Sequence, residues 1–189
     1  QILLVNRDGK LYGDNTDLAG MLALIRRMGL VLSGKKVLIL GTGEAQYESF
    51  FRDLSNQFPD QVSAQITFNL GLAARIYAGG DIYLMPSKSE PCGLSQMNAM
   101  RYGTVPVVHA TGGLKDTVPP ADENGEGGLG FTFQSYNADD FLAAIDRSLQ
   151  LFYDEPEKWA RLSEADMSID SSWKLPAQEY MELYKKAIG

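Results

Sequence analysis

Short apolar runs alternate along the chain with longer stretches in which apolar residues recur every three or four positions. Apolar runs bounded by turn residues are typical of buried parallel strands, and the longer spacing is typical of crossover helices. The alternation predicts an α/β fold with a Rossmann-like, doubly wound, six-stranded parallel sheet. The six predicted strands cover residues 2–5, 36–40, 62–67, 82–85, 105–109 and 130–133.

The helical spacing predicts crossover helices at residues 16–28, 45–56, 70–78, 94–102 and 113–117. Three further helices are predicted after the sheet, which makes the C-terminal third mainly helical. Asn137, with Asp140 three residues later, resembles a capped helix start, and Pro156 suits the first turn of the next helix. The last helix follows Trp173. The pattern leaves open whether residues 1–12 form a central strand or a hairpin that turns at Asp8-Gly9.

A ligand crevice is expected where the strand order of a doubly wound sheet reverses, beyond the carboxyl ends of the strands. For the order 3-2-1-4-5-6, the loops at that point are residues 6–17 and 86–93. The second loop carries Glu90, an acceptor for hydroxyl groups, and leads directly into a helix. Free amides at the start of that helix, residues 93–95, can bind an anion. A sugar diphosphate matches both features.

Two glycine turns follow other strands and point towards the same crevice. Thr111, Gly112 and Gly113 follow the fifth strand, and backbone without bulky side chains can approach a phosphate closely. The Gly-Thr-Gly turn at residues 41–43 is favoured as a structural strand-to-helix turn. Residues 44–46 do not complete the G-x-G-x-x-G pattern, so dinucleotide binding is disfavoured.

Composition narrows the classes of partner. The 189 residues suit one globular domain, 1–189, and the net charge of -7 disfavours non-specific binding to nucleic acid or anionic membranes. No apolar run approaches the roughly 20 residues of a membrane span. With one histidine and one cysteine, Cys92, a disulfide framework and the usual structural zinc cluster are excluded. These features predict a cytoplasmic protein without a metal.

Four segments carry a resemblance to a known family: Ile-Tyr-Leu-Met-Pro-Ser at 82–87, Glu-Pro-Cys-Gly-Leu-Ser-Gln at 90–96, Met-Arg-Tyr-Gly-Thr-Val-Pro-Val-Val at 100–108 and Thr-Gly-Gly-Leu-Lys-Asp-Thr-Val at 111–118. Together they resemble the nucleotide-sugar-binding half of bacterial glycogen and starch synthases, over about residues 35–189. The resemblance implies one of the two Rossmann-like domains of a GT-B glycosyltransferase. Such enzymes transfer glucose from ADP-glucose or UDP-glucose to an α-1,4-glucan with retention and need no metal. The acceptor-binding half is missing from the resemblance.

The resemblance also implies roles for individual residues. Glu90 is the carboxylate that contacts donor glucose hydroxyls near the reacting carbon, which makes it the catalytic candidate. The backbone of Cys92, Gly93 and Leu94 lines the sugar. Ser95 contacts the diphosphate. Inert packing remains the alternative for Cys92, and a solvated loop acid remains the alternative for Glu90.

Two more positions belong to the implied donor site. Phe68 matches an aromatic residue that packs on the adenine, with a place in the core as the alternative. After the first strand the family has an arginine and a lysine that neutralise the diphosphate, a large contribution when a phosphate group leaves. Here that segment reads Asn-Arg-Asp-Gly-Lys at 6–10. Arg7 substitutes by position, whereas Lys10 is out of register, so donor affinity and turnover are expected to be reduced.

Residues 1–40 resemble a different family. The segments at 5–17 and 34–41 are similar to shikimate dehydrogenases, and Asp17 matches the catalytic aspartate of that family. The substrate-binding lysine and the full glycine-rich NADP turn have no counterpart. The two resemblances meet in the strand at 36–40, which predicts an engineered chimera of a 1–40 segment and a 41–189 segment.

Three functions are therefore considered. The first is a domain that binds a nucleotide sugar without transferring glucose. The second is a designed folding scaffold without a ligand. The third is an enzyme, either a residual nucleotide-sugar hydrolase or an NADP-dependent shikimate dehydrogenase. An exposed apolar face along residues 173–184 is expected to support self-association, because the last helix of GT-B enzymes crosses to the other domain.

Overall fold

The computed structural model describes residues 2–5, 11–13, 35–122 and 127–188. The strands in these parts are β1 (Ile2–Val5), β2 (Leu11–Gly13), β3 (Lys36–Leu40), β4 (Val62–Gln65), β5 (Ile82–Met85), β6 (Val105–His109) and β7 (Phe131–Phe133). The helices are α1 (Ala45–Gln57), α2 (Leu70–Gly79), α3 (Ser95–Arg101), α4 (Gly112–Thr117), α5 (Ala138–Asp154), α6 (Pro156–Ser168) and α7 (Lys174–Ile188). The helix predicted at 16–28 lies outside the described residues.

One mixed sheet contains all seven described strands, in the order β4-β3-β2-β1-β5-β6-β7. Strands β2, β3 and β4 run parallel to one another, as do β5, β6 and β7, but β1 is antiparallel to both β2 and β5. The prediction of six parallel strands is therefore wrong in the direction of β1 and in the omission of β2. Parallel neighbours need a crossover of a dozen or more residues, which the short segment between β1 and β2 does not provide. The pairing of Leu4 with Leu11 matches the hairpin alternative.

Strands β5 and β6 are buried on both faces of the sheet. Every residue of β5 and β6 is buried, which explains why these strands read as continuous apolar runs. Because side chains alternate between faces, Ile82 and Leu84 pack into one cluster with residues of β7, α5 and α6. Tyr83 and Met85 pack into a second cluster with residues of α2, α3 and α4. The result is three layers, with the sheet between two layers of helices.

The predicted caps in the C-terminal third are confirmed. The Asn137 side chain accepts a hydrogen bond from the Asp140 amide at 2.9 Å, and the Asp140 carboxylate accepts one from the Ser135 amide at 3.2 Å. This reciprocal arrangement satisfies amides that have no partner inside α5. Helix α6 begins at Pro156, as predicted. None of the described helices has the length and apolar character needed to cross a membrane.

Helix α7 presents an apolar face to solvent. The rings of Trp173, Tyr180 and Tyr184 follow one another at 6.5 and 6.3 Å between centroids, and all three side chains are at least half exposed. The core clusters of the described residues contain no residue of α7. The predicted exposed apolar face is thus present, and self-association through it stays a prediction.

Candidate glycosyl-donor site

The loop between β5 and α3 carries most of the predicted site residues. Glu90 is half-buried, Cys92 is exposed and Leu94 is 66% exposed. Gly93 is buried and has a backbone φ of +73°, a conformation that residues other than glycine rarely adopt. The Ser95 hydroxyl lies 3.5 Å from the Met85 sulfur. The loop therefore offers one carboxylate and a turned backbone at the carboxyl end of a central strand.

Gly112 and Gly113 allow the turn after β6 to contact this loop directly. The Gly113 amide donates to the Glu90 carbonyl at 3.0 Å. A Cβ atom on Gly112 would lie 2.1 Å from the Glu90 oxygen, and one on Gly113 would lie 2.1 Å from the Cys92 oxygen. The close approach that the glycines permit is thus to the Glu90 loop. The Gly113 amide is already used there, and phosphate contacts of Thr111, Gly112 and Gly113 stay predictions.

The side chain of Gln96 joins the same two segments and was missed by the sequence reasoning. Its amide nitrogen lies 2.9 Å from the Gly93 carbonyl, 3.3 Å from the Cys92 carbonyl and 2.9 Å from the Thr117 hydroxyl. Gln96 is fully buried. The available signal was its position in α3, where a polar residue shares the buried face of Ala99 and Met100.

His109 supports the start of the loop from the other side. Its Nδ1 lies 2.8 Å from the Ser87 carbonyl and its Nε2 lies 3.2 Å from the Gln134 carbonyl. The ring packs between Phe133 and Tyr136. This buried histidine ends β6 and ties the Glu90 loop to the segment after β7. The sequence signal was a single histidine that closes an apolar strand.

A separate cleft of about 270 Å³ lies beside the ends of β3 and β4. Its lining includes Leu40, Phe68, Asn69 and Tyr102. Phe68 is 81% exposed, so the alternative that placed this side chain in the core is wrong. Asn69 begins α2 by accepting a hydrogen bond from the Leu72 amide at 2.9 Å, which fixes the loop that carries Phe68. Packing of Phe68 on a nucleobase stays a prediction.

Other predicted features are outside the described residues or weaker than expected. Arg7 lies outside the described residues. Helix α3 has only seven residues and begins at Ser95, with no side-chain cap from Leu94, so anion binding by the amides at 93–95 stays a prediction. Among the described residues, no group of three or more histidine, cysteine, aspartate or glutamate side chains forms a metal site.

Curated proteins are similar to this chain over most of its length, including the region of the site. The glycogen synthase of Thermotoga petrophila is 48% identical over 160 residues, which are 85% of this chain and 33% of that protein. The glycogen synthase of Clostridioides difficile is 49% identical over 150 residues, which are 79% of this chain and 31% of that protein. The chain thus spans about a third of the length of the curated relatives it matches.

Solved structures give the same result at the level of the fold. The catalytic domain of starch synthase IV from Arabidopsis thaliana, bound to ADP and acarbose, matches with a TM-score of 0.78 and 33% identity over 94% of this chain and 38% of that one. Sucrose-phosphate synthase from Thermosynechococcus elongatus matches with a TM-score of 0.65 and 20% identity, over 94% of this chain and 45% of that one. The second likeness shows the fold alone.

A match to one protein family covers most of the chain. Residues 23–165 match the family described as glycosyl transferases group 1. The match begins inside the 1–40 segment that resembles shikimate dehydrogenases, and none of the relatives named above is a dehydrogenase. A shikimate dehydrogenase-like origin of residues 1–40, and hence a chimera, stays a prediction. Because the match covers more than half of the 189 residues, the chain belongs to the group 1 glycosyltransferase family and contains a glycogen synthase-like domain.

Proposed function

We propose that this domain binds a nucleotide sugar, with ADP-glucose as the ligand that fits best. The observation that carries the proposal is the fixed loop around Glu90, which is held by Gly113 and Gln96 at the carboxyl edge of the sheet. Similarity to glycogen synthases supports glucose as the sugar. The ADP in the similar Arabidopsis starch synthase structure favours adenine over uracil.

Two parts of the site would recognise two parts of the ligand. The Glu90 carboxylate accepts hydrogen bonds from sugar hydroxyls, and Phe68 packs against the base. Hydrogen bonds to a charged group contribute about 1.5–3 kcal/mol each, and stacking of a base on an aromatic side chain contributes about 1–3 kcal/mol. The sugar and the base are therefore expected to contribute separately to affinity.

Transfer of glucose is not expected from this domain by itself. The curated relatives are about three times as long as the matched region, as their 33% coverage shows. Group transfer excludes water only when the site closes around both substrates. We therefore place donor binding in the described domain and assign transfer to the domain together with an acceptor-binding partner domain.

The substitution Glu90→Gln tests the sugar contact. Because an amide accepts hydroxyl hydrogen bonds less strongly than a carboxylate, the Kd for ADP-glucose is expected to rise at least about tenfold. The Kd for ADP should change less than about twofold. Calorimetry with both ligands and with UDP-glucose measures these effects, and Glu164→Gln on the exposed face of α6 is the matched control. No heat from the parent protein at millimolar ADP-glucose would contradict donor binding and leave the scaffold alternative.

The substitution Phe68→Ala tests the base contact. Loss of stacking is expected to raise the Kd values for ADP and ADP-glucose by a similar factor, about 5- to 150-fold. The melting temperature should stay nearly constant because the side chain is 81% exposed. Phe68→Trp keeps a stacking surface and should retain affinity. An unchanged Kd in Phe68→Ala would remove this cleft from the donor site.

The dehydrogenase alternative receives no support from the described residues. Its candidate Asp17 lies outside them, and the group 1 glycosyltransferase match begins at residue 23. Neither observation favours NADP or shikimate as a ligand.

A further inference from the structure

Gln96 is buried where two loops of the donor site meet. The Glu90 loop and the Gly112–Gly113 turn are separated in sequence by more than a full strand, yet their backbones are in contact through the Gly113 amide and the Glu90 carbonyl. Gln96 adds a second connection. Its amide reaches the Gly93 carbonyl in the first segment and the Thr117 hydroxyl in the second.

The connection continues through Thr117. The Thr117 hydroxyl donates to the Gly113 carbonyl at 2.6 Å, so it accepts from Gln96. A chain of hydrogen bonds therefore runs from Gly93 through Gln96 and Thr117 to Gly113. Such a chain polarises its members and fixes their orientation. It holds α4 at a set distance from the loop that carries Glu90.

Gln96 also fixes the conformation of Gly93. A Cβ atom on Gly93 would lie 2.5 Å from the Gln96 Oε1 atom, so this side chain fills the space beside the turned residue. Oε1 itself is buried without a hydrogen-bond partner among the described residues. An unpaired buried acceptor is unfavourable. The hydrogen bonds that Nε2 donates are therefore accompanied by the unfavourable burial of Oε1.

We propose that Gln96 is a positioning residue that sets the Glu90–Gly93 backbone for the sugar and thereby determines how much glucose adds to nucleotide affinity. The inference rests on the proposed function. Gln96 does not line the cleft that contains Phe68. Its loss is therefore expected to affect recognition of the sugar and to leave recognition of the base unchanged.

The test compares ADP-glucose and ADP binding by calorimetry in the parent chain, Gln96→Met and Gln150→Met. Methionine keeps the length of the side chain and removes both amide donors, and Gln150 is an exposed control on α5. Gln96→Met should raise the Kd for ADP-glucose about tenfold and change the Kd for ADP less than about twofold. A purely structural role would weaken both ligands by the same factor.

Each outcome decides between the two proposals. If the parent chain binds neither ligand, the proposed function fails and the role of Gln96 fails with it. If the parent chain prefers ADP-glucose and Gln96→Met keeps the same preference, only the role of Gln96 is overturned. Should Gln96→Met lose its cooperative melting transition, Thr117→Val decides, because it removes one link of the chain while keeping the side-chain shape. We expect a two- to fivefold loss, confined to ADP-glucose, in that variant, and an unchanged preference would overturn the inference.

Discussion

Stability of this protein is expected to fall steeply between pH 4 and pH 8 because of one buried carboxyl group. Asp166 is 1% exposed, and neither of its carboxylate oxygens has a hydrogen-bond partner among the described residues. Burial raises the pKa of Asp166 from 3.8 to about 8. Arg101, on the adjacent helix α3, donates to the Met167 carbonyl at 2.6 Å. That hydrogen bond orients the guanidinium towards the neighbouring backbone.

The direction of this pH dependence follows from the proton that Asp166 takes up on folding. Between pH 4 and pH 8 the unfolded chain carries an ionised Asp166 while the folded chain carries a protonated one, so stability declines as the pH rises. Each pKa unit corresponds to about 1.4 kcal/mol, and the whole shift corresponds to a loss on the order of 5 kcal/mol. The loss is complete above the folded pKa. Most single domains are stable by only about 5–15 kcal/mol, so this effect is large.

Two variants distinguish the effect of the Asp166 charge on stability from the effect of its packing. Asp166→Asn keeps the shape of the protonated acid and should remove the decline between pH 4 and pH 8. Asp166→Ala removes the unpaired group and should be more stable than the parent at pH 8 by several kcal/mol, on the order of the ionisation effect. Urea unfolding at pH 5, 7 and 9, followed by circular dichroism, gives the free energies, and Asp146→Asn on the exposed face of α5 is the control. A decline that persists unchanged in Asp166→Asn would show that another group causes it.

Two other carboxylates affect stability in the opposite direction, and they do so at lower pH. Hydrogen bonds from Ser135 lower the pKa of Asp140, and hydrogen bonds from Ser172 lower the pKa of Asp170. These carboxylates stabilise the fold above their unfolded pKa values and lose that contribution as the pH falls through the folded values. Maximal stability is therefore expected slightly above pH 4, where Asp166 is protonated and the other two carboxylates are ionised.

The sequence predicts β5 and β6 well and β1 and β2 poorly. The ends of β5 and β6 agree with the prediction to the residue, because strands buried on both faces are continuous apolar runs. The direction of β1 could not be read from its four apolar residues, since direction depends on which strand pairs with it. The same limitation applies to Asp166. Its burial depends on α6 packing against α3, which no local pattern records.

The sequence indicates where the candidate site residues lie when their motif is contiguous, and it misses contacts between segments that are distant in sequence. Glu90 lies in the loop that the motif indicates, and Phe68 is exposed at the edge of the same sheet. Small residues in the Thr-Gly-Gly turn predict close approach to a phosphate, and that contact stays a prediction. In the structure their close neighbour is the Glu90 loop. A sequence indicates that space is needed at a glycine, but only the fold shows what occupies that space.

Gly113→Ala is expected to damage both stability and donor binding. The new Cβ atom would lie 2.1 Å from the Cys92 oxygen and 2.6 Å from its carbonyl carbon, and both are backbone atoms that cannot rotate away. Gly113 is not among the glycines with positive φ, so alanine suits its backbone and the steric contact alone causes the effect. Overpacking of this kind costs about 1–3 kcal/mol or more, and about 1–3 kcal/mol corresponds to a fall in Tm of about 2–12 °C for a domain of this size.

The binding effect has a separate cause from the loss of stability. To relieve the contact, the Glu90 loop has to move away from α4, which breaks the hydrogen bond from the Gly113 amide to the Glu90 carbonyl. A shift of about 1 Å in a positioned group is enough to lower affinity or rate by about a hundredfold. We expect ADP-glucose binding to be lost at a temperature where the variant is still folded.

Gly79→Ala is the control, because a Cβ atom there meets nothing within 4 Å. Its stability should change by less than about 1 kcal/mol. Differential scanning calorimetry and ligand titration on both variants measure the two effects, and a Gly113→Ala protein that melts and binds like Gly79→Ala would contradict the tight packing of these two loops.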